Sequence, residues 1–339
     1  MMDRIAIISF TDAGGVLAHK TAAMLASHDC MVETFDKSKE SAAEYVARKF
    51  AEADALIFVG AAGIAVRLIA AHITTKDKDP AVIVMDEKGS YVVPLLSGHL
   101  GGANEMAEML AQMIGARAVI TTATDINGKF AADIWAKKNG CVIEDISMIK
   151  FVSAAVLKGE NAGFSCGGFD CEGEMPECLT ADEKGKATES GICISLSGGQ
   201  SQFMHTLNVI PRIVTIGAGC KKDTDSKAFR TFILEVLKDN EISPLAVERL
   251  ATCTLKKDER CMHDFAQETG AEFVTYTSEE LMEAEGDFAS SEFVRKVTGA
   301  DNVCERSAVT GSGGRLTVKK TSRDGMTAAI AVREWKCRF

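Results

Sequence analysis

Over its first 145 residues the chain alternates short, almost wholly apolar, β-branched runs with amphipathic stretches. Residues 4–9 (RIAIIS), 31–35, 55–59 (ALIFV), 81–86 (AVIVMD) and 118–122 (AVITT) read as strands, and residues 16–27, 39–52, 62–71, 103–114 and 130–138 read as helices. A strand that is apolar at successive positions must be covered on both faces, so the pattern predicts an α/β domain with a doubly wound, mostly parallel sheet. One local exception is residues 87–90 (EKGS), which read as a hairpin turn between 81–86 and 91–96 (YVVPLL). The texture changes over 146–211, where a helical stretch at 147–157 precedes a Gly-, Cys- and Glu-dense run at 159–191, as in a small middle module or linker region. A second α/β domain is expected over 212–339, with strands at 212–217, 273–276, 315–318 and 327–332 and helices at 226–238, 257–269 and 290–297. The chain thus reads as an N-terminal α/β domain (1–145), a middle segment and a C-terminal α/β domain, in keeping with 339 residues at roughly 150 per domain.

Several function classes are excluded by charge and composition. The net charge of −10 disfavours a nucleic-acid partner, because phosphate neutralisation needs surplus Lys and Arg. An anionic small ligand would need a local cluster of donors. The most apolar stretch, residues 55–66, ends at Arg67, well short of the roughly 20 residues that span a bilayer, and the start shows no basic leader with an apolar core. A cytoplasmic location without membrane partners is expected. The 11 cysteines are odd in number and nowhere spaced as C-x-x-C, so reduced thiols are expected, with no metal held by the protein, even in the run Cys166, Cys171, Cys178, Cys193.

Three glycine-bearing strand-to-helix junctions could approach a ligand. In Gly60-Ala-Ala-Gly63-Ile-Ala-Val-Arg67 the small residues free backbone N–H groups at a helix start, which favours an anion, although the same glycines could simply make the turn. It lacks the G-x-G-x-x-G and G-K-[ST] patterns, so nucleotide readings gain no support. In Leu95-Leu-Ser97-Gly98-His99-Leu-Gly101-Gly102-Ala-Asn104, hydroxyl and amide donors flank a titratable imidazole at a strand end, where open α/β sheets build sites; capping or turn roles for Ser97 and Asn104 are the alternative. The third, Gly217-Ala-Gly219-Cys220-Lys221-Lys222, sets two lysines before a helix, which suits a carboxylate or phosphate partner. Thr121, Thr122 and Asp125 follow a further strand end; the hydroxyls could bind polar ligand groups and Asp125 could orient a histidine, or all three could cap. Residues 74–80 read as a charged, exposed loop, and Lys256-Lys-Asp-Glu259 precedes a helix that its acidic residues suit.

Four of these segments in this order, Gly60 to Arg67, Lys78-Asp79-Pro80-Ala-Val, Leu95 to Asn104 and Ile120 to Asp125, closely resemble the N-terminal domain of the CbiG family, the cobalt-precorrin-5A hydrolases of anaerobic cobalamin biosynthesis. The C-terminal section is similar to that family's C-terminal domain at Ile216-Gly-Ala-Gly-Cys220, Lys256-Lys-Asp-Glu259, Ser290-Ser-Glu-Phe-Val294 and Val303-Cys-Glu305-Arg-Ser-Ala308. It departs at Asp223-Thr224, where the family pattern has Gly-Thr, which weakens the anion-binding reading there. The resemblance implies opening of the δ-lactone of a cobalt-bound tetrapyrrole and release of the former meso carbon with its methyl group as acetaldehyde. The cobalt would travel with the substrate, so no cofactor need be bound by the protein.

The site expected on this reading has His99 and Asp125 as catalytic residues, with Glu305 next in line as a base. Gly60, Gly63, Arg67, Ser97, Gly98, Gly101, Gly102, Asn104, Thr121, Thr122, Gly217, Gly219 and Lys221 would bind substrate. Expected partners are the cobalt-precorrin substrate and neighbouring enzymes of the pathway. The alternative is a non-catalytic protein that binds corrinoid intermediates or hands them between enzymes; it shares the anion-binding junctions but needs no base. A phosphate-sugar or nucleotide enzyme rests on fold analogy alone.

Overall fold

The apolar run Arg4–Ser9 forms β1, with Ile5, Ala6, Ile7 and Ile8 all buried. The structure, a computed structural model, describes residues 2–75, 78–290 and 292–339; Lys76, Asp77 and Ser291, in the expected charged loop and helix, lie outside the described residues. Two units are present, Met1–Ile134 and Trp135–Phe339.

In the first unit β1 is joined by β2 (Met31–Thr34), β3 (Ala55–Val59), β4 (Ala81–Met85), β5 (Tyr91–Leu96) and β6 (Arg117–Ala118), and these described strands are ordered β2-β1-β3-β4-β5-β6. The first four are parallel, β5 is antiparallel to β4, and β6 runs with β5. Helices α1 (Asp12–Ala26), α2 (Ala42–Glu52), α3 (Ala62–Ile69) and α4 (Ala103–Ile114) cover it on both sides. Residues of α1 and α4 cluster with Ile5, Ile7, Ile57 and Ile83, those of α2 and α3 with Ala6, Ile8, Phe58 and Val84. This is the doubly wound arrangement that the uninterrupted apolar strands require.

Differences from the expected elements have local causes. Helix α1 starts at Asp12 and not at residue 16, because the Thr11 hydroxyl caps it by accepting from Gly14 N. Helix α2 starts at Ala42, where Ser41 and Glu44 form a capping box. The expected strand 118–122 is contradicted. Pairing stops once Val119 N donates to the Val92 carbonyl, and Thr122 becomes the N-cap residue of a short helix, α5 (Ala123–Ile126). Helix α6 (Ala132–Lys138) follows.

The hairpin has the largest consequence for the site. Leu96, at the end of β5, pairs with Val82 at the start of β4, whereas Gly60, after β3, donates to the Met85 carbonyl at the end of β4. The Gly60 and Ser97 junctions therefore lie at opposite edges of one sheet, although each follows a strand.

The second unit contains a sheet of β7 (Cys141–Ile143), β8 (Ala162–Ser165), β10 (Leu179–Ala181), β11 (Ser190–Ile194) and β12 (His205–Pro211), ordered β10-β8-β11-β12-β7, with α7 (Ile149–Lys158) against it; β9 (Asp170–Glu172) lies outside it. The middle segment is thus a folded module and not a linker, and it begins before the expected boundary at 145/146, since β7 pairs with β12. Its glycines make room for a ring: a Cβ on Gly163 or Gly191 would come within 2.3 or 2.6 Å of Phe203.

A further sheet follows with β13 (Val214–Gly219), β14 (Val247–Cys253), β15 (Glu272–Tyr276), β16 (Arg315–Arg323) and β17 (Met326–Val332), ordered β15-β14-β13-β17-β16; β18 (Lys336–Arg338) pairs with β9. Its helices are α8 (Ser226–Asp239), α9 (Arg260–Thr269), α10 (Ser278–Glu283), α11 (Glu292–Thr298) and α12 (Val303–Ser312). Strand β14 escapes the sequence pattern because Glu248 and Arg249 break its apolar run; Arg249 is held by Glu272 at 2.8 Å and by the Gly311 carbonyl at 2.7 Å. Among the described residues no helix is long and apolar enough to cross a membrane.

Candidate active site

The turn from β5 into α4 is built by close backbone packing. Ser97 takes φ 57° and Gly102 φ 80°, and the α4 amides of Ala103 and Asn104 donate to the Ser97 and Gly98 carbonyls. A Cβ on Gly101 would lie 2.3 Å from Ser97 Cβ, and one on Gly98 2.7 Å from Asn104 Oδ1. Gly101→Ala should cost about 1–3 kcal/mol, read as a lower denaturation midpoint, since the clash is with fixed backbone and not with a flexible tip.

This turn sets His99 between two carboxylates. Its Nδ1 lies 3.0 Å from Asp133 Oδ2 and its Nε2 3.1 Å from Asp125 Oδ2, with Thr124 Oγ1 3.3 Å from Nε2. Asn104, itself buried, donates to Asp125 Oδ2 at 2.6 Å and to Thr122 Oγ1 at 2.9 Å, which fixes the carboxylate. The side chains of Asp133 and His99 are 9% and 15% exposed and that of Asp125 28%, so the group opens to solvent on the Asp125 side. The Asp133 hydrogen bond, opposed by burial and reinforced by Asp125, raises the His99 pKa above its ordinary value. Burial pushes the Asp133 carboxyl up, but the hydrogen bond and charge of His99 and backbone donors outweigh it and hold it below the usual range.

The raised His99 pKa has a definite sign in stability. An unfolded histidine titrates near 6.5, so the interaction contributes fully below about that pH and is lost as pH rises through the higher folded value. Denaturation of the parent chain and of His99→Gln should therefore differ most in mildly acidic buffer and least in alkaline buffer; a gap independent of pH would contradict this.

The other expected substrate ligands divide. Ser97 Oγ donates to the Asp79 carbonyl and the Asn104 amide donates to Asp125 and Thr122, so these donor hydrogens are used within the protein. Gly98, Gly101 and Gly102 shape the turn, Thr122 accepts from Asn104, and Thr121 is exposed. Gly60 has φ 156° and a Cβ there would meet Phe10 at 3.2 Å, while at Gly63 a Cβ would meet nothing within 4 Å. Arg67 is exposed in the last turn of α3. Because α3 joins two parallel strands it runs back across the sheet, carrying Arg67 away from the Gly60 edge toward the edge where β5 ends.

The third junction is not a tight strand-to-helix turn. Gly217 and Gly219 lie inside β13; a Cβ on Gly217 would come within 1.8 Å of the Cys304 carbonyl, so that glycine admits α12. Helix α8 begins only at Ser226, capped by Asp225, so Lys221 and Lys222 precede its first turn and their charge needs no anion there. Asp223 takes φ 58°, a left-handed conformation that Asp tolerates, which accounts for its replacing glycine. Glu305, 0% exposed, accepts from Ala289 N, Lys320 N and Asn302 Nδ2 and is buried within the fold of the second unit.

Sequence reasoning missed Asp133. Its signal was a carboxylate in the first turn of the helix after Asp125, which local spacing cannot tie to His99, 34 residues away.

Comparisons with known proteins agree along the chain. Family models match residues 44–125 (cobalamin synthesis G N-terminal), 130–211 (cobalamin biosynthesis central region) and 214–331 (cobalamin synthesis G C-terminus). A Salmonella typhimurium protein named cobalt-precorrin-5A hydrolase is 33% identical over 97% of this chain and 98% of its own length. A Priestia megaterium protein of the same name is 32% identical over 82% of this chain and 78% of its own.

Proposed function

The chain belongs to the family of cobalamin synthesis G proteins, and we infer from this that it is a cobalt-precorrin-5A hydrolase whose acid–base unit is the His99–Asp125 pair held by Asp133. The observation that supports this site is one imidazole with a buried carboxylate on Nδ1 and a more exposed carboxylate on Nε2. Opening a lactone requires a proton to leave water as its oxygen attacks the carbonyl carbon, and a proton to reach the ring oxygen as its bond to that carbon breaks. Asp133 fixes the Nδ1–H tautomer and stabilises the imidazolium, which leaves Nε2 and Asp125 as the place where a proton is taken and returned. The unprotonated pair accepts from water; the protonated pair then supplies the leaving oxygen. The freed hydroxyl gives its proton back to the pair as the carbon–carbon bond to the macrocycle breaks, releasing acetaldehyde, and the macrocycle carbon takes up a proton.

Both proton transfers of the lactone opening are covered by these side chains, so the reaction is proposed to need no cofactor bound by the protein; the cobalt is part of the substrate. Arg67, with the open space at Gly63 in the same helix, is proposed to receive a peripheral carboxylate of the macrocycle. Arg67→Ala should weaken substrate binding by about 1.5–3 kcal/mol, a charged hydrogen bond, in a spectroscopic titration; an unchanged Kd removes Arg67 from the site. A cytoplasmic location and hand-over from neighbouring pathway enzymes belong to the same proposal. Incubation of the pure chain with the cobalt lactone substrate should release acetaldehyde. Tight binding without aldehyde would make the chain a carrier of corrinoid intermediates.

A further inference from the structure

Two C-terminal motifs that the lactone chemistry leaves unused meet at one point in the second unit. Cys220 follows β13, and Glu259 and Cys261 stand at the start of α9. The Cys220 and Cys261 Sγ atoms are 3.8 Å apart, and both lie within 4.8 Å of a Glu259 carboxylate oxygen. We propose that Cys220, Glu259 and Cys261 form a Zn2+ site, with water as the fourth ligand.

The spacing carries the claim. Two thiolates on one tetrahedral zinc, each about 2.3 Å from it, stand about 3.8 Å apart, which matches the pair; a disulfide would bring them to about 2.05 Å. The surroundings favour the charged ligands. Glu259 is the N-cap residue of α9 and Cys261 lies in its first turn, at the positive end of the helix dipole. Lys256 Nζ is 2.7 Å from Glu259 Oε1 and balances the excess negative charge of three anionic ligands on a divalent ion. Cys261 is buried and the Glu259 side chain is 12% exposed, which shields the sulfurs yet leaves access for water.

The expectation of no protein-held metal rested on short-range cysteine spacing, and this set escapes that test because its ligands come from two distant segments. The site ties the end of β13 to α9 and takes no part in the proton transfers at His99. The full chain, purified with a reductant and without chelator, should carry one zinc. After removal of the zinc, Co2+ should give a thiolate-to-cobalt charge-transfer band and the d–d bands of a tetrahedral ion. Glu259→Gln, whose parent side chain bonds Lys256 here, should weaken zinc binding about tenfold or more in chelator competition, and Cys220→Ser with Cys261→Ser should abolish the cobalt–thiolate band. Metal-free protein without a cobalt–thiolate band, a Cys220–Cys261 disulfide in the mass spectrum, or a band that survives the double substitution would each overturn the proposal.

Discussion

His99→Asn should lower turnover about 10²–10⁴-fold while leaving substrate affinity within a few fold. Asparagine can still donate a hydrogen bond toward Asp125 or Asp133, so the site keeps a polar group of similar reach, but it cannot take a proton from water. The loss must therefore fall on the chemical step. A variant that turns over within a few fold of the parent, or whose defect lies only in KM, would make His99 a contact for a substrate carboxylate and would leave the base elsewhere. The parent rate should itself rise with pH through an inflection above 6.5, because Asp133 first and Asp125 next favour the imidazolium, and the pair must lose that proton before it can accept another.

Asp133→Asn should cost about 10²-fold or more in turnover, and it should move that inflection down toward the ordinary histidine value. The carboxylate 3.0 Å from Nδ1 is the largest cause of the raised His99 pKa, so its removal lowers the value and frees the ring to adopt either tautomer. A residue that only packed α6 against its neighbours would lower stability without displacing the inflection. Lost turnover with an unmoved inflection would therefore deny Asp133 its role in orienting the imidazole.

Much of the first unit was legible because the strand signal was strong where the strands are central. β3 and β4 are buried along their length and β1 is buried from Ile5 to Ile8, and an apolar run with no polar alternation has few other ways to fold. The His99 turn was legible for a different reason: a titratable ring among glycines at a strand end is rare enough to stand out. What stayed hidden depends on contacts between distant segments. Asp133 and Asn104 acquire their roles only when α4, α5 and α6 converge on His99. The separation of the Gly60 and Ser97 junctions comes from the direction of β5, which the turn at 87–90 signalled but whose consequence for two loops was not drawn from the pattern. In the C-terminal sheet the packing of α12 over Gly217 was hidden because a glycine that admits a helix and one that admits a ligand look alike in sequence.

A single-turnover experiment tests the central claim most directly, with the chain in excess over the cobalt lactone substrate and both the macrocycle spectrum and acetaldehyde followed in time. The parent chain should open all the bound lactone and release one acetaldehyde per macrocycle, while His99→Asn binds the same amount and converts it about 10²–10⁴-fold more slowly. Parent protein that binds the macrocycle and leaves the lactone intact, or a His99→Asn trace that overlays the parent, would contradict the account.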